Sequence, residues 1–172
     1  LVPEALLCRS EVSPESVAAC LSLNTEDIRT EVHRPVVASV GLPFLIAELA
    51  SREALRRCVP NLQGFRATLP LDGAVSLYAY TLDTNADEPH DVQARMFTPR
   101  MTEDPATGSA TAAATALLAL HRNKTTLNLN VSQGVDMGRA SVLFAGYDAS
   151  SGEAVVRVGG NCVMTLEGTF SL

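Results

Sequence analysis

Apolar positions along the chain change period twice, and the changes outline its elements. Residues 1–35 are polar and punctuated, and read as a connecting segment with one short helix. That helix covers Ser16 to Leu21, with Ser13 as N-cap and Pro14 at the first helical position, which its fixed φ suits. Near-continuous apolar runs at Val36 to Val40 and Phe44 to Leu49, split by Gly41-Leu42-Pro43, predict strands. Ser51 predicts the cap of a helix over Arg52 to Cys58, stopped by Pro60, with Arg56 and Arg57 in the last turn, where the dipole favours them. From residue 65 the alternation predicts strands at Phe65 to Leu69, Val75 to Leu82 and Val92 to Phe97, parted by Asp72-Gly73 and the acidic loop Asn85 to Asp91. After one long helix come Leu127 to Val131, Ser141 to Tyr147, Ala154 to Val158 and Cys162 to Leu166.

About nine strands joined mostly by short turns predict an α+β fold with a mainly antiparallel sheet. So many strands are expected to curl or close, barrel-like, to protect their edges. The long helix, Gly108 to His121, carries six alanines and no charge between Gly108 and Leu120. A surface helix would show a polar face. This one is expected at the centre, wrapped by the sheet, because small side chains let neighbouring backbone approach closely.

Composition narrows the classes. At 172 residues the chain makes one domain or a little more. Its 47% hydrophobic and 19% charged residues argue against disorder. A net charge of −6 with scattered basic residues argues against nucleic acid as a partner. No apolar run reaches the roughly 18 residues that span a bilayer. The four cysteines are far apart, neither zinc-spaced nor dense enough for a disulfide scaffold. Buried free thiols in a reducing, cytoplasmic compartment are the expectation, and no metal is expected. The first residue is Leu, which suggests a piece of something longer.

The candidate chemistry sits just before the long helix, in Thr102-Glu103-Asp104-Pro105-Ala106-Thr107-Gly108-Ser109-Ala110. The first amides of a helix lack internal partners and favour a carboxylate or phosphate. Gly108 permits close approach and Ser109 adds a hydroxyl. The same residues also read as plain N-capping, with Thr107 or Ser109 as cap and Asp104 answering the dipole. A P-loop is excluded because no Lys follows Gly108, and no G-x-S-x-G elbow is present. The three histidines stand alone and read as surface or capping residues. His121 lies about 18 Å from Ser109 along the helix.

Glu103 to Ala110 resembles the E-D-P-A-T-G-S-A signature of the phenazine-biosynthesis (PhzF-like) isomerase/epimerase family. Ordered satellites accompany it: Ser39-Val40-Gly41-Leu42-Pro43-Phe44-Leu45, Arg95-Met96-Phe97-Thr98-Pro99, Gln133-Gly134-Val135-Asp136-Met137-Gly138-Arg139 and Val156-Arg157-Val158-Gly159-Gly160. The resemblance implies two similar halves, each a curved sheet around a central helix as in diaminopimelate epimerase, with a cofactor-free site in the cleft between them. Residues 36–172 would be the C-terminal half. The family's catalytic Glu and Gly-His-x-Thr motif belong to the other half and have no counterpart here.

Carried over, Asp104 is the catalytic residue of this half, with Thr107, Gly108, Ser109 and Arg139 contacting a small carboxylate substrate. The implied chemistry is a proton removed beside an activated carbon and returned elsewhere. Its base would come from the missing half, while Asp104 holds or orients a substrate amine or a partner side chain. Glu103 reads as a salt-bridge or loop residue, and Arg139 as an anion contact or a structural ion pair. A thiol-based racemase is disfavoured, since no cysteine lies between Cys58 and Cys162. The alternative is a non-catalytic half-enzyme that binds a small acid or another protein. The expected partners are the N-terminal half of the same fold or a second copy in a homodimer.

Overall fold

The computed structural model describes residues 5–84 and 89–170. Residues 85–88 of the expected acidic loop lie outside the described part. The chain order is β1 (Leu7–Glu11), α1 (Pro14–Leu21), β2 (Ile28–Arg29), β3 (Val36–Ser39), β4 (Pro43–Leu49), α2 (Arg52–Arg57), α3 (Leu62–Thr68) and β5 (Leu77–Thr81). Next come β6 (Val92–Phe97), β7 (Glu103–Asp104), α4 (Gly108–His121), β8 (Thr126–Gln133), β9 (Ser141–Asp148) and β10 (Val155–Gly159). Ser13 caps α1 by accepting from the Ser16 amide, and Ser51 caps α2 by accepting from Ala54.

All ten strands form one α+β sheet with the path β1-β3-β4-β5-β6-β8-β9-β10, while β2 adds to β4 and β7 to β6. Most pairs are antiparallel, but β4–β5 and β6–β8 are parallel. A parallel pair needs a crossover, and helices supply both: α2 and α3 before β5, and α4 before β8. The path starts at β1 and ends at β10, so the sheet is open rather than closed.

The central strands are buried on both faces, and their period of two sorts the core. Val36, Ala38, Phe44, Ile46, Tyr78, Tyr80, Ala94 and Met96 pack with α4. Their neighbours Val37, Leu45, Ala47, Leu77, Ala79 and Phe97 pack with α1, α2 and α3. Every α4 residue from Ala110 to Ala119 is buried, and the helix touches β3, β4, β8, β9 and β10. Burying Leu117 and Leu118 contributes roughly 1.5–3 kcal/mol each. Helices α1 and α3 meet backbone to backbone, since a Cβ on Gly64 would lie 2.4 Å from the Ala19 carbonyl oxygen.

Several expectations need correction. Phe65 to Leu69 is helical, not a strand. Phe65 and Leu69 fit i,i+4 spacing as well as alternation, and the Asn61 side chain decides the matter by accepting from the Gly64 amide at 2.9 Å. Cys162 to Leu166 forms no strand: the segment is exposed and pairs with nothing among the described residues. Alternation makes a segment fit for a ladder, but the ladder needs a partner. Strand β1, by contrast, is a polar run in the segment read as a connector, and it pairs with β3. Val17, Cys20 and Leu21 of α1 are fully buried against the sheet.

His33 is buried rather than superficial, its ring stacked on Tyr80. Of the cysteines, Cys20 and Cys58 are buried while Cys8 and Cys162 are exposed. No helix among the described residues is long and apolar enough to cross a membrane.

Candidate active site

Strand β7 is only two residues long, yet it fixes the path of the chain into α4. Its pairing with β6, Met96 to Asp104 and Phe97 to Glu103, anchors the connecting loop at its first residues. The two adjacent carboxylates then point to different duties. Glu103 accepts from Arg95 Nε and Nη2 at 3.0 and 2.7 Å. Arg95 Nη1 also donates to the carbonyls of Leu55 and Cys58, both at 3.0 Å, and its guanidinium lies over the Phe97 ring. Glu103 is therefore a half-buried ion-pair residue.

Asp104 faces the helix start instead. Its Oδ2 accepts from the Thr107 hydroxyl at 2.7 Å. Thr107 is buried at the N-cap position, but its hydroxyl caps no amide of α4. That leaves the amides of Gly108, Ser109 and Ala110 with no acceptor among the described residues, and the Ser109 hydroxyl likewise makes no hydrogen bond there. The unspent donors and the helix dipole make this end electropositive. Gly108 lies beside Val158, whose methyl would be 3.8 Å from a Cβ at that position. Val158 in turn lines a groove of about 570 Å³ with Ala106, Ser141, Val142, Gly159 and Gly160.

Arg139 lies on the turn between β8 and β9. Gly134, at φ +79°, brings this turn against the loop: a Cβ there would meet the Arg139 carbonyl at 2.3 Å and the Pro105 carbonyl at 2.9 Å. The Arg139 side chain is exposed and forms no ion pair among the described residues. The backbone of Arg139 and the Asp104-to-Ser109 loop are thus brought together, and its guanidinium is not spent on a structural pair.

Gln133, which in the sequence only opens the Gln133-to-Arg139 segment, is part of the site. It is fully buried. Its Oε1 accepts from the Thr107 amide at 3.2 Å, and its Nε2 donates to the Asp104 carbonyl at 2.7 Å and to Thr107 Oγ1 at 2.9 Å. No local signal marks this role, because the partners lie 26 and 29 residues away. Among the described residues no three His, Cys, Asp or Glu side chains are grouped to hold a metal ion.

The chain is similar to known proteins over nearly its whole length. A family model described as phenazine biosynthesis-like protein matches residues 6–168. An uncharacterized isomerase from Mesorhizobium japonicum is 32% identical over 176 aligned positions, covering 97% of this chain and 57% of that protein. The crystal structure of a Bacillus anthracis phenazine biosynthesis protein of the PhzF family shares the fold at TM-score 0.80 and 22% identity, over 92% of this chain and 55% of that one. The structure of a predicted epimerase from Pseudomonas aeruginosa matches at TM-score 0.65 and 24% identity, over 92% of this chain and 53% of the other. The chain spans a little over half the length of these relatives.

Proposed function

The chain belongs to the phenazine biosynthesis-like family, and on that premise we propose that it is the C-terminal half of an isomerase or epimerase that moves a proton on a small carboxylate-bearing substrate. The observation that carries this reading is the start of α4, where three unspent amides and the Ser109 hydroxyl stand beside Asp104 and an open groove. Backbone N–H groups at a helix N-terminus suit a carboxylate, and Arg139 is a further cation for it. Asp104 then contacts the substrate's reacting end or its amine. The reaction is cofactor-free in this reading. Naming of the Mesorhizobium relative as an isomerase supports the reaction class.

Glu103 is spent on Arg95, so among the described residues Asp104 is the one carboxylate left beside the start of α4, rather than one of an acid/base pair. A companion N-terminal half, consistent with the greater length of the relatives, supplies the second proton-transfer group and the opposite wall. Closing the cleft excludes water and strengthens each electrostatic contact inside it. The finer architecture belongs to the same proposal: a curved, barrel-like sheet wrapped around α4, one half of a two-domain epimerase-like fold in a cytoplasmic protein. Contacts of α4 with strands toward both ends of the sheet path support it. The single carboxylate also favours a second reading, a non-catalytic half that binds a small acid or a partner protein.

Solvent-deuterium incorporation into small cyclic and amino-acid-like carboxylic acids separates the two. It is measured for this chain alone and together with a companion half. Exchange by the two halves that falls about 10²-fold or more in Asp104→Asn, the scale of one acid/base contribution, is the expected result. No exchange by the joined protein with any acid overturns the enzymatic reading in favour of the binding one.

A further inference from the structure

The hydrogen bonds around Gln133 admit one set of directions. The Thr107 amide can only donate, so the Gln133 atom facing it must be the carbonyl oxygen. The Asp104 carbonyl can only accept, so the atom facing it must be the amide nitrogen. That nitrogen has no acceptor capacity, and it also lies 2.9 Å from Thr107 Oγ1. Thr107 therefore receives a hydrogen bond from Gln133 and must send its own proton elsewhere. The acceptor in reach is Asp104 Oδ2, at 2.7 Å.

We propose that Gln133 is a positioning residue for Asp104: through Thr107 it pins Oδ2 to a donor and leaves Oδ1 as the oxygen offered to the substrate. Asp104 Oδ1 makes no hydrogen bond among the described residues, and the side chain is only half-buried. Because Gln133 is fully buried, no water competes for its donors. The same residue holds the Asp104 carbonyl and the Thr107 amide, so carboxylate direction and loop shape are set together. This inference rests on the reading of Asp104 as the residue that meets the substrate.

The test is made on the folded chain by following the Asp104 carboxyl carbon in NMR. Thr107→Val removes the donor to Oδ2 and should move this resonance, while Thr107→Ser keeps the hydroxyl and should restore it. Gln133→Glu keeps size and shape; buried against the Asp104 carbonyl, its carboxyl holds a single proton, which goes to that carbonyl and leaves none for Thr107. The Thr107 hydroxyl then turns toward the new carboxyl group, and the Asp104 resonance should move as in Thr107→Val, with no further change in the double variant. Should Gln133→Glu not fold, the Gln133 side-chain amide protons in Thr107→Val decide the point. One of the two should lose its acceptor and shift. An unmoved Asp104 resonance in a folded Gln133→Glu or Thr107→Val, or unmoved Gln133 amide protons, overturns the proposal. These readouts do not depend on turnover, so a failed deuterium experiment would sink the isomerase reading and leave this one standing or falling by itself.

Discussion

Arg95 and Glu103 form a two-pronged ion pair at 2.7 and 3.0 Å, with both side chains 10% exposed. The pair joins β6 to β7, and Arg95 reaches on to the carbonyls that end α2. It thereby sets where the site loop begins. Removing Glu103 leaves the largely buried Arg95 with only the longer Asp136 contact at 4.0 Å, which costs up to about 3 kcal/mol. Glu103→Gln is expected to lower the melting temperature by roughly 10 °C in a domain of this size. A scanning-calorimetry shift of a degree or two would assign the pair to the solvated surface class instead.

Ala113 is fully buried in α4. Ala113→Arg places a charge with no partner where the sheet packs against the helix, at a cost of several kcal/mol. The variant should be unfolded or severely destabilised by circular dichroism. Wild-type melting behaviour would show that the helix has a free face.

Gly134 stands at φ +79°, with two carbonyl oxygens where a Cβ would go. Gly134→Ala must push the Arg139 turn away from Pro105. A stability loss of about 1–3 kcal/mol is expected in urea unfolding, accompanied by shifts in the Asp104-to-Ser109 amides. A loss without those shifts would uncouple the turn from the site.

A second buried polar cluster holds two groups whose protonation burial shifts. The Tyr80 hydroxyl lies between His33 Nε2 at 2.7 Å and Glu48 Oε2 at 3.4 Å. Arg29 and Arg122 act on Glu48, and the His121 ring lies against His33. Burial raises the Glu48 carboxyl above its ordinary 4.5 and lowers the His33 ring below its ordinary 6.5. For Glu48 the folded chain holds its proton longer than the unfolded one, so its contribution is lost as pH rises above 4.5. For His33 the unfolded chain takes the proton first, so stability is lost as pH falls below 6.5. Glu48→Gln should gain melting temperature over wild type as pH rises from 4.5 through the raised folded value of Glu48, and the gain should level off above it. A difference that is already constant from pH 4.5 on, with no rise, would contradict the assignment.

What could be read from the sequence is local. The caps Ser13 and Ser51 and the bounds of α4 depend on neighbours within a turn, so residue type and spacing determine them. Glu103 and Asp104 stand out as a pair for the same reason. Their separation into an ion-pair residue and a site residue does not, since Arg95 meets Glu103 only through the register of β6 and β7. Strand β1 and the Cys162 to Leu166 segment depart from their patterns in opposite directions, because pairing depends on what lies alongside. Gln133 is invisible as a residue with a role: a glutamine before a glycine gains meaning only when folding brings it to Asp104 and Thr107.

The start of α4 as a carboxylate site is tested most directly by titrating the chain with benzoate while monitoring backbone amides by NMR. The Gly108, Ser109 and Ala110 resonances should move together and saturate, and Arg139→Ala should weaken the binding without changing which amides respond. Amides that stay still in the folded chain, or a response confined to another surface, would contradict it.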